Sequence, residues 1–465
     1  MHPADPLPQG DLDALVIGAG VVGCAIARRL ALEGARVAIL ERGADILDGA
    51  SKGNSAILHT GFDAPTGSLE LACIRAGHAE YLEIRERLGL PLDRAGALVI
   101  AWTEAEAAAL PALMAQARAN GVGDIEPLDA ADLRAAEPAL SHRAVAGFRV
   151  PGESLIDPWS APLAYLAQAL AHGATLARGT EVTGGAFDGA RWRIETPRGP
   201  LHARRVVNAA GLYGDRVDRL LLGEAGFAIR PRKGQFVVFD KPAAALARHI
   251  LLPVPNEITK GVVVCRTVWG NLLVGPTAEE QTDRDRADLV PATLAALAAR
   301  GAEILPALGG HAVTASYAGL RPATERKDYV ITTAAGGSYL SVGGIRSTGL
   351  SAALGIAAHV AGLCGAPGAW AAPAELRWPR VANLAEGAPR DWQAPGHGGI
   401  VCHCEQVTRR EILGALDGPL GAQSLAGLKR RTRATMGRCQ GFYCTAAIAR
   451  LTEGRLAQPM VGADG

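Results

Sequence analysis

Near the N-terminus the apolar positions form two short unbroken runs, residues 14–17 (ALVI) and 37–40 (VAIL), with VVGCAIARRLALEG in between. Short apolar runs of this kind predict strands covered on both faces. The three- and four-residue apolar spacing between them predicts the helix that joins two parallel strands. A second helix is expected over residues 69–88. Further along, FVVF (236–239) and NLLVG (271–275) read as strands, and alanine-rich windows such as ATLAALAAR read as helices. Residues 365–399 are rich in Ala, Pro and Gly without a clean period, which reads as a linker. No internal repeat is apparent.

Size and charge narrow the class. A chain of 465 residues exceeds one core and implies two or three domains. With 47 Lys and Arg against 46 Asp and Glu, the net charge of +1 argues against a nucleic-acid footprint. Eight cysteines in a chain this long do not form a secreted disulfide framework. The start, MHPADPLPQGDLDALVIGAG, lacks a charged segment followed by a continuous apolar one. No apolar stretch reaches the ~18 residues of a membrane span. A soluble cytoplasmic enzyme is expected, with attachment to a membrane only through a partner.

The turn after the first strand reads Gly18-x-Gly20-x-x-Gly23, and the second strand ends at Glu41. Gly18 suits the tight turn, Gly20 lets a pyrophosphate approach the backbone, and Gly23 lets helix and strand pack closely. The helix N-terminus offers free N–H groups to the phosphates, and Glu41 is placed to accept from ribose hydroxyls. The position of this fingerprint at the chain start favours FAD over NAD. So does the small, polar segment GASKGNSAILHTGFDAPTG that follows it.

Four of the cysteines cluster near the other end, Cys402 and Cys404 in VCHCEQVT, Cys439 and Cys444 in MGRCQGFYC. Thiolates gathered like this ligate a [2Fe–2S] cluster or a structural zinc, although a Cys-x-Cys pair suits zinc less well. The other four, at 24, 73, 265 and 364, are scattered singly. Cys73 and Cys265 read as buried apolar residues.

The order of the N-terminal fingerprint, VVNAAGLYGDRV (206–217) and SVGGIRSTGLSAALGIA (341–357) resembles the D-amino-acid-oxidase-like flavoproteins. The cysteine segments resemble the bacterioferritin-associated-ferredoxin-like [2Fe–2S] domain. Together with KGVVVCRTVWGNLLVGPTAEE and SYAGLRPAT, they are similar to the bacterial FAD-dependent glycerol-3-phosphate dehydrogenase group that carries that domain. Three positions depart from the group: Arg266 stands for a usual proline, Trp269 for a histidine and Thr435 for a glycine.

The resemblance implies an α/β, Rossmann-like FAD-binding domain interleaved with an α+β substrate domain, and a small helical [2Fe–2S] domain. The FAD-binding parts fall at 12–90, 146–224 and 310–364, and the substrate parts at 91–145 and 225–309. The linker at 365–399 leads to the cluster domain at 400–450. The implied FAD-lining residues are Gly18, Gly20, Gly23, Glu41, Arg42, Ser51, Asn54, Ala210, Gly211, Gly344, Ser347, Thr348 and Gly349. Cys402, Cys404, Cys439 and Cys444 would hold the cluster.

His59, on the loop expected to face the flavin, is the candidate base, since an imidazole is the side chain suited to taking and releasing a proton near neutral pH. Arg321 and Arg346 are candidate catalytic cations that would hold the substrate anion, with Lys233, Lys260 and Arg266 as further contacts. The helix opened by Ser347-Thr348-Gly349 would stabilise negative charge on the flavin. The expected activity is oxidation of a small anionic 2-hydroxy compound, first sn-glycerol 3-phosphate, with electrons leaving through the cluster to a separate acceptor protein or partner subunit. The alternatives are an amino-acid, opine or 2-hydroxy-acid (2-hydroxyglutarate-like) dehydrogenase component, or a scaffold subunit.

Overall fold

A computed structural model of the chain describes residues 5–255, 261–365 and 370–460. Its first layer is an eight-stranded sheet whose parallel centre runs Thr175–Ala177, Val37–Leu40, Leu12–Ile17, Leu201–Asn208 and Tyr339–Gly343. Leu12–Ile17 is buried at five of its six positions, as expected for a strand with both faces covered. The joining helix is Val21–Leu32. It packs against Ser160–Ala171 and Gly349–Leu363, and the latter packs in turn on Leu69–Leu88. The bounds of Leu69–Leu88 match the sequence expectation. Ser68 caps its start by accepting from the Leu71 N–H, and Gly89 ends it with a φ of 79°.

The second layer is a nine-stranded sheet in the order Glu279–Glu280, Arg230–Phe239, Leu272–Gly275, Val263–Arg266, Ile250–Pro253, Ala97–Ala101, Ala146–Val150, Glu126–Asp129. Val313–Ala323 pairs along the free edge of Arg230–Phe239. Two of the expected segment boundaries need correction. Ala146–Val150 hydrogen-bonds to Ala97–Ala101, and Val313–Ala323 to Arg230–Phe239. Both strands therefore lie in the nine-stranded sheet, and not with the parallel strands to which the sequence had assigned their segments.

Residues 370–399 are irregular apart from the turn Asp391–Gln393 and run along the first layer. The Val381 N–H donates to the Leu88 carbonyl, and Arg87 lies 4.8 Å from the centre of the Trp378 ring. The chain then forms the hairpin Ile400–Cys402/Val407–Thr408 and the helices Arg409–Gly414, Leu425–Thr432 and Thr445–Thr452. These close over their own core of Val407, Ile412, Leu416, Leu428 and Ile448. Buried Asp45 ties this unit to the rest: it pairs with Arg431 at 2.8 Å and accepts from the Gln423 N–H. Among the described residues, no helix is long and apolar enough to cross a membrane.

Candidate functional site

A cleft of about 1140 Å³ opens between the carboxyl ends of the parallel strands and the nine-stranded sheet. Its floor is the glycine-rich turn. Gly18 has a φ of 102°, and a Cβ there would stand 2.7 Å from the Ala209 carbonyl oxygen; at Gly23 it would stand 1.9 Å from the Gly18 oxygen. Neither position accepts a side chain, so this strand–turn–helix requires both glycines. The helix Val21–Leu32 has no side-chain cap from Gly20, and the Val21 N–H donates to Ser51 Oγ at 3.0 Å.

Glu41 lines the cleft, where its carboxylate accepts from the N–H groups of Ala19 (2.9 Å) and Gly43 (2.8 Å). Burial pushes its pKa up, and those two donors act against the rise. Arg42 lies 3.7 Å from the centre of the Tyr213 ring and pairs with Asp285. Ser51, Asn54, Ala210, Gly211, Ser347 and Gly349 also line the cleft.

Gly23, which packs against the Gly18 carbonyl, and Gly344 and Thr348 do not reach it. Gly344 makes the turn before the closing helix, with a φ of 70°. Thr348 is buried, donates to Glu70 at 2.6 Å and meets the Tyr329 hydroxyl. The first turn of Gly349–Leu363 has no side-chain cap, and Gly349 and Leu350 face the cleft, leaving N–H groups for an anion there. Two helix starts aimed at the cleft and the side-chain-free turn together fit a dinucleotide with a flavin end.

His59 stands on the cleft wall. Its Nδ1 is 2.8 Å from Glu153 Oε2, and its backbone N–H donates to Ser351 Oγ. The Glu153 side chain is 0% exposed, and its other oxygen accepts from the N–H (2.6 Å) and hydroxyl (2.8 Å) of Thr60. Neither Glu153 nor Ser351 stood out in the sequence. The signal is topological: Ile57–Leu58 pairs antiparallel with Ser154–Ile156, and the next step of that register sets His59 opposite Glu153.

Arg321 also lines the cleft, and among the described residues no carboxylate pairs with it; its guanidinium reaches the Thr277 carbonyl at 3.4 Å. Burial, and then the nearby Arg232, hold its pKa down to about 10. Arg346 lines the cleft with its charge divided between Glu70, at 3.5 Å, and the Lys327 carbonyl.

Two other expected anion contacts point elsewhere. Lys233 pairs with Glu279 at 3.1 Å and donates to the Asp288 carbonyl. Successive strand side chains alternate faces; Arg232 and Phe236 face the cleft, so Lys233 cannot. Arg266 pairs with Asp93 at 3.0 Å, outside the cleft lining. Lys260 lies outside the described residues. Trp269 is buried, stacked 4.9 Å from Trp159 with Arg433 4.2 Å from its ring centre. Cys73 and Cys265 are buried, and burial raises both thiols to about 12.

In the C-terminal unit the four clustered thiols come close enough to influence one another's charge, Cys404 chiefly with Cys439 and Cys444 chiefly with Cys402. Among the described residues, no three His, Cys, Asp or Glu side chains converge on a single ion. Two pairs of thiolates suit the two irons of a [2Fe–2S] cluster better than one tetrahedral zinc. The Cys439 thiol is drawn below its usual range, first by the Tyr443 N–H and further by those of Gly441 and Phe442. Thr435 has a φ of 69°, a left-handed conformation that explains the usual glycine at this position. Cys439→Ser is expected to remove iron and the cluster's visible absorption while FAD stays bound, as read by metal analysis and spectra. Retention of iron would exclude this ligand set.

Comparison with known proteins agrees with both halves. The family model for DAO, FAD dependent oxidoreductase, matches residues 13–363, and that for the BFD-like [2Fe-2S] binding domain matches 400–453. A glycerol 3-phosphate dehydrogenase of Caloramator mitchellensis is 32% identical over 96% of this chain and 95% of its own. One subunit of the anaerobic glycerol-3-phosphate dehydrogenase of Escherichia coli K12 is 26% identical over 95% of this chain and 88% of its own. Among solved structures, dithionite-reduced L-alpha-glycerophosphate oxidase from Mycoplasma pneumoniae with FAD bound has a TM-score of 0.73 and 27% identity. That match covers 80% of this chain and 100% of the other. The chain belongs to the DAO family of FAD-dependent oxidoreductases, with FAD as its cofactor and a C-terminal BFD-like [2Fe–2S] domain.

Proposed function

We propose that the protein oxidises sn-glycerol 3-phosphate to dihydroxyacetone phosphate and delivers the electrons singly to a separate acceptor protein or partner subunit. The observation that carries this reading is one cleft holding both a carboxylate-anchored imidazole and a cation, Arg321, that has no acidic partner among the described residues. The names of the relatives support the same substrate, and the naming of the Escherichia coli relative as one subunit of an enzyme supports a partner. Bound FAD supplies a hydride acceptor, and the [2Fe–2S] group a one-electron carrier.

With Nδ1 engaged by Glu153, His59 takes the substrate hydroxyl proton at Nε2. Glu153 fixes the ring's orientation and stabilises the imidazolium that forms. Arg321 holds the phosphate, where a planar fork binds better than a point charge. Arg346, tied to Glu70 and the Lys327 carbonyl, fixes the turn ahead of the closing helix and borders the same space.

Turnover with a dye acceptor, compared across glycerol 3-phosphate, 2-hydroxyglutarate and glycine, tests the reading. Glycerol 3-phosphate should give the highest kcat/KM. Arg321→Ala should lower it by about 2–4 kcal/mol, on the order of 30- to 1,000-fold, with partial rescue by Arg321→Lys. A carboxylate substrate turned over faster than glycerol 3-phosphate would overturn the assignment.

A further inference from the structure

The strands Arg230–Phe239 and Val313–Ala323 pair antiparallel in a register that sets Arg232 opposite Arg321, Gly234 opposite Gly319 and Phe236 opposite Tyr317. One face of the ribbon thus reads R-x-G-x-F against Y-x-G-x-R. Its three rungs are a pair of guanidiniums, a gap without side chains and a stacked aromatic pair 4.6 Å apart. Arg232 and Arg321 both line the cleft. The Arg321 guanidinium lies over the middle rung, where a Cβ on Gly234 would stand 2.6 Å from it.

Like charges directly opposite on neighbouring strands destabilise a sheet. Here the only acid paired with either arginine, among the described residues, is Glu280 on Arg232, and Glu280 is 59% exposed. An ion pair so open to water contributes little. The ribbon therefore holds two positive forks over the cleft without enough negative charge to satisfy them.

We infer that Arg232 and Arg321 together form a dianion subsite, and that Arg232 makes the cleft select a phosphate monoester over a carboxylate. A carboxylate has two oxygens and one charge, which a single guanidinium fork saturates. A phosphate monoester near neutral pH has three terminal oxygens and close to two charges, enough for both forks. Bound to a carboxylate on Arg321, the ribbon leaves Arg232 with only its exposed pair to Glu280; bound to a phosphate, both forks are engaged. The inference rests on the substrate reading above and adds the residue that discriminates.

The test uses the holoenzyme with inorganic phosphate as the probe, measured as a competitive inhibitor. Arg232→Met, which keeps most of the side-chain volume, should raise the phosphate inhibition constant on the order of 10- to 100-fold, the magnitude for a lost charged hydrogen-bonding partner. Inhibition by a small 2-hydroxy carboxylate should stay within about twofold by the same comparison. Arg232→Lys should fall between the two. Glu280→Gln separates this from a structural role: a subsite predicts unchanged or tighter phosphate binding, because the competing acid is gone. A merely structural ion pair predicts that Glu280→Gln and Arg232→Met weaken binding alike. If the wild type turns over glycerol 3-phosphate and Arg232→Met inhibits like wild type, the inference fails alone. If the wild type neither turns it over nor binds phosphate, the substrate reading fails with it.

Discussion

His59→Ala is expected to lower kcat by about 10²- to 10⁴-fold, the range for losing a positioned general base. KM and the bound flavin's spectrum should change little. The expectation rests on anchoring at both ends of the residue. The backbone is held by Ser351 in the first turn of Gly349–Leu363, and the ring by a carboxylate with no solvent exposure. A carboxylate whose oxygens are taken by one imidazole and one threonine is committed to orienting that ring. Glu153→Gln should therefore lower kcat in the same direction. An amide can present an N–H to Nδ1, which favours the tautomer with the proton at Nε2, where the base must be free. Glu153→Asp should keep the chemistry and lose some geometry. Steady-state kinetics on the three variants decides the matter. If His59→Ala keeps kcat within threefold, the hydroxyl proton leaves by another route.

Gly20→Val is expected to abolish FAD binding, and with it all turnover, while the chain still folds and holds its iron–sulfur cluster. A Cβ at this position meets only Ser51 Oγ, at 3.1 Å, so the fold tolerates a side chain better here than at Gly18 or Gly23. The rest of a valine side chain would project where a pyrophosphate would meet the start of Val21–Leu32. The [2Fe–2S] domain at residues 400–453 is a unit with its own core, so the cluster's visible absorption should persist. Spectra of the purified variant separate the two chromophores. Full flavin occupancy in Gly20→Val would refute the N-terminal cofactor site.

Much of this was legible in the sequence because it is local. The strand–turn–helix around Gly18 and the helix Leu69–Leu88 announce themselves within a few turns of chain, as do the clustered cysteines. What escaped depends on register between distant segments. Glu153 lies 94 residues from His59 and sits in a turn, PGES, with no sequence mark of an orienting acid. Lys233 and Arg232 are equivalent on paper, and only the pleat decides which one faces the cleft. Sheet membership of Ala146–Val150 and Val313–Ala323 follows from non-local pairing, to which hydrophobic periodicity is blind. Arg266 and Trp269, read as departures from the group, turn to Asp93 and to a buried stack with Trp159 and Arg433.

The most direct test is an anaerobic titration of the as-isolated protein with glycerol 3-phosphate, followed by visible and EPR spectroscopy without added acceptor. The account predicts loss of the oxidised flavin absorption at stoichiometric substrate, together with the EPR signal of a reduced [2Fe–2S] cluster. A flavin that stays oxidised in excess glycerol 3-phosphate, yet bleaches with a 2-hydroxy acid or an amino acid, would contradict it.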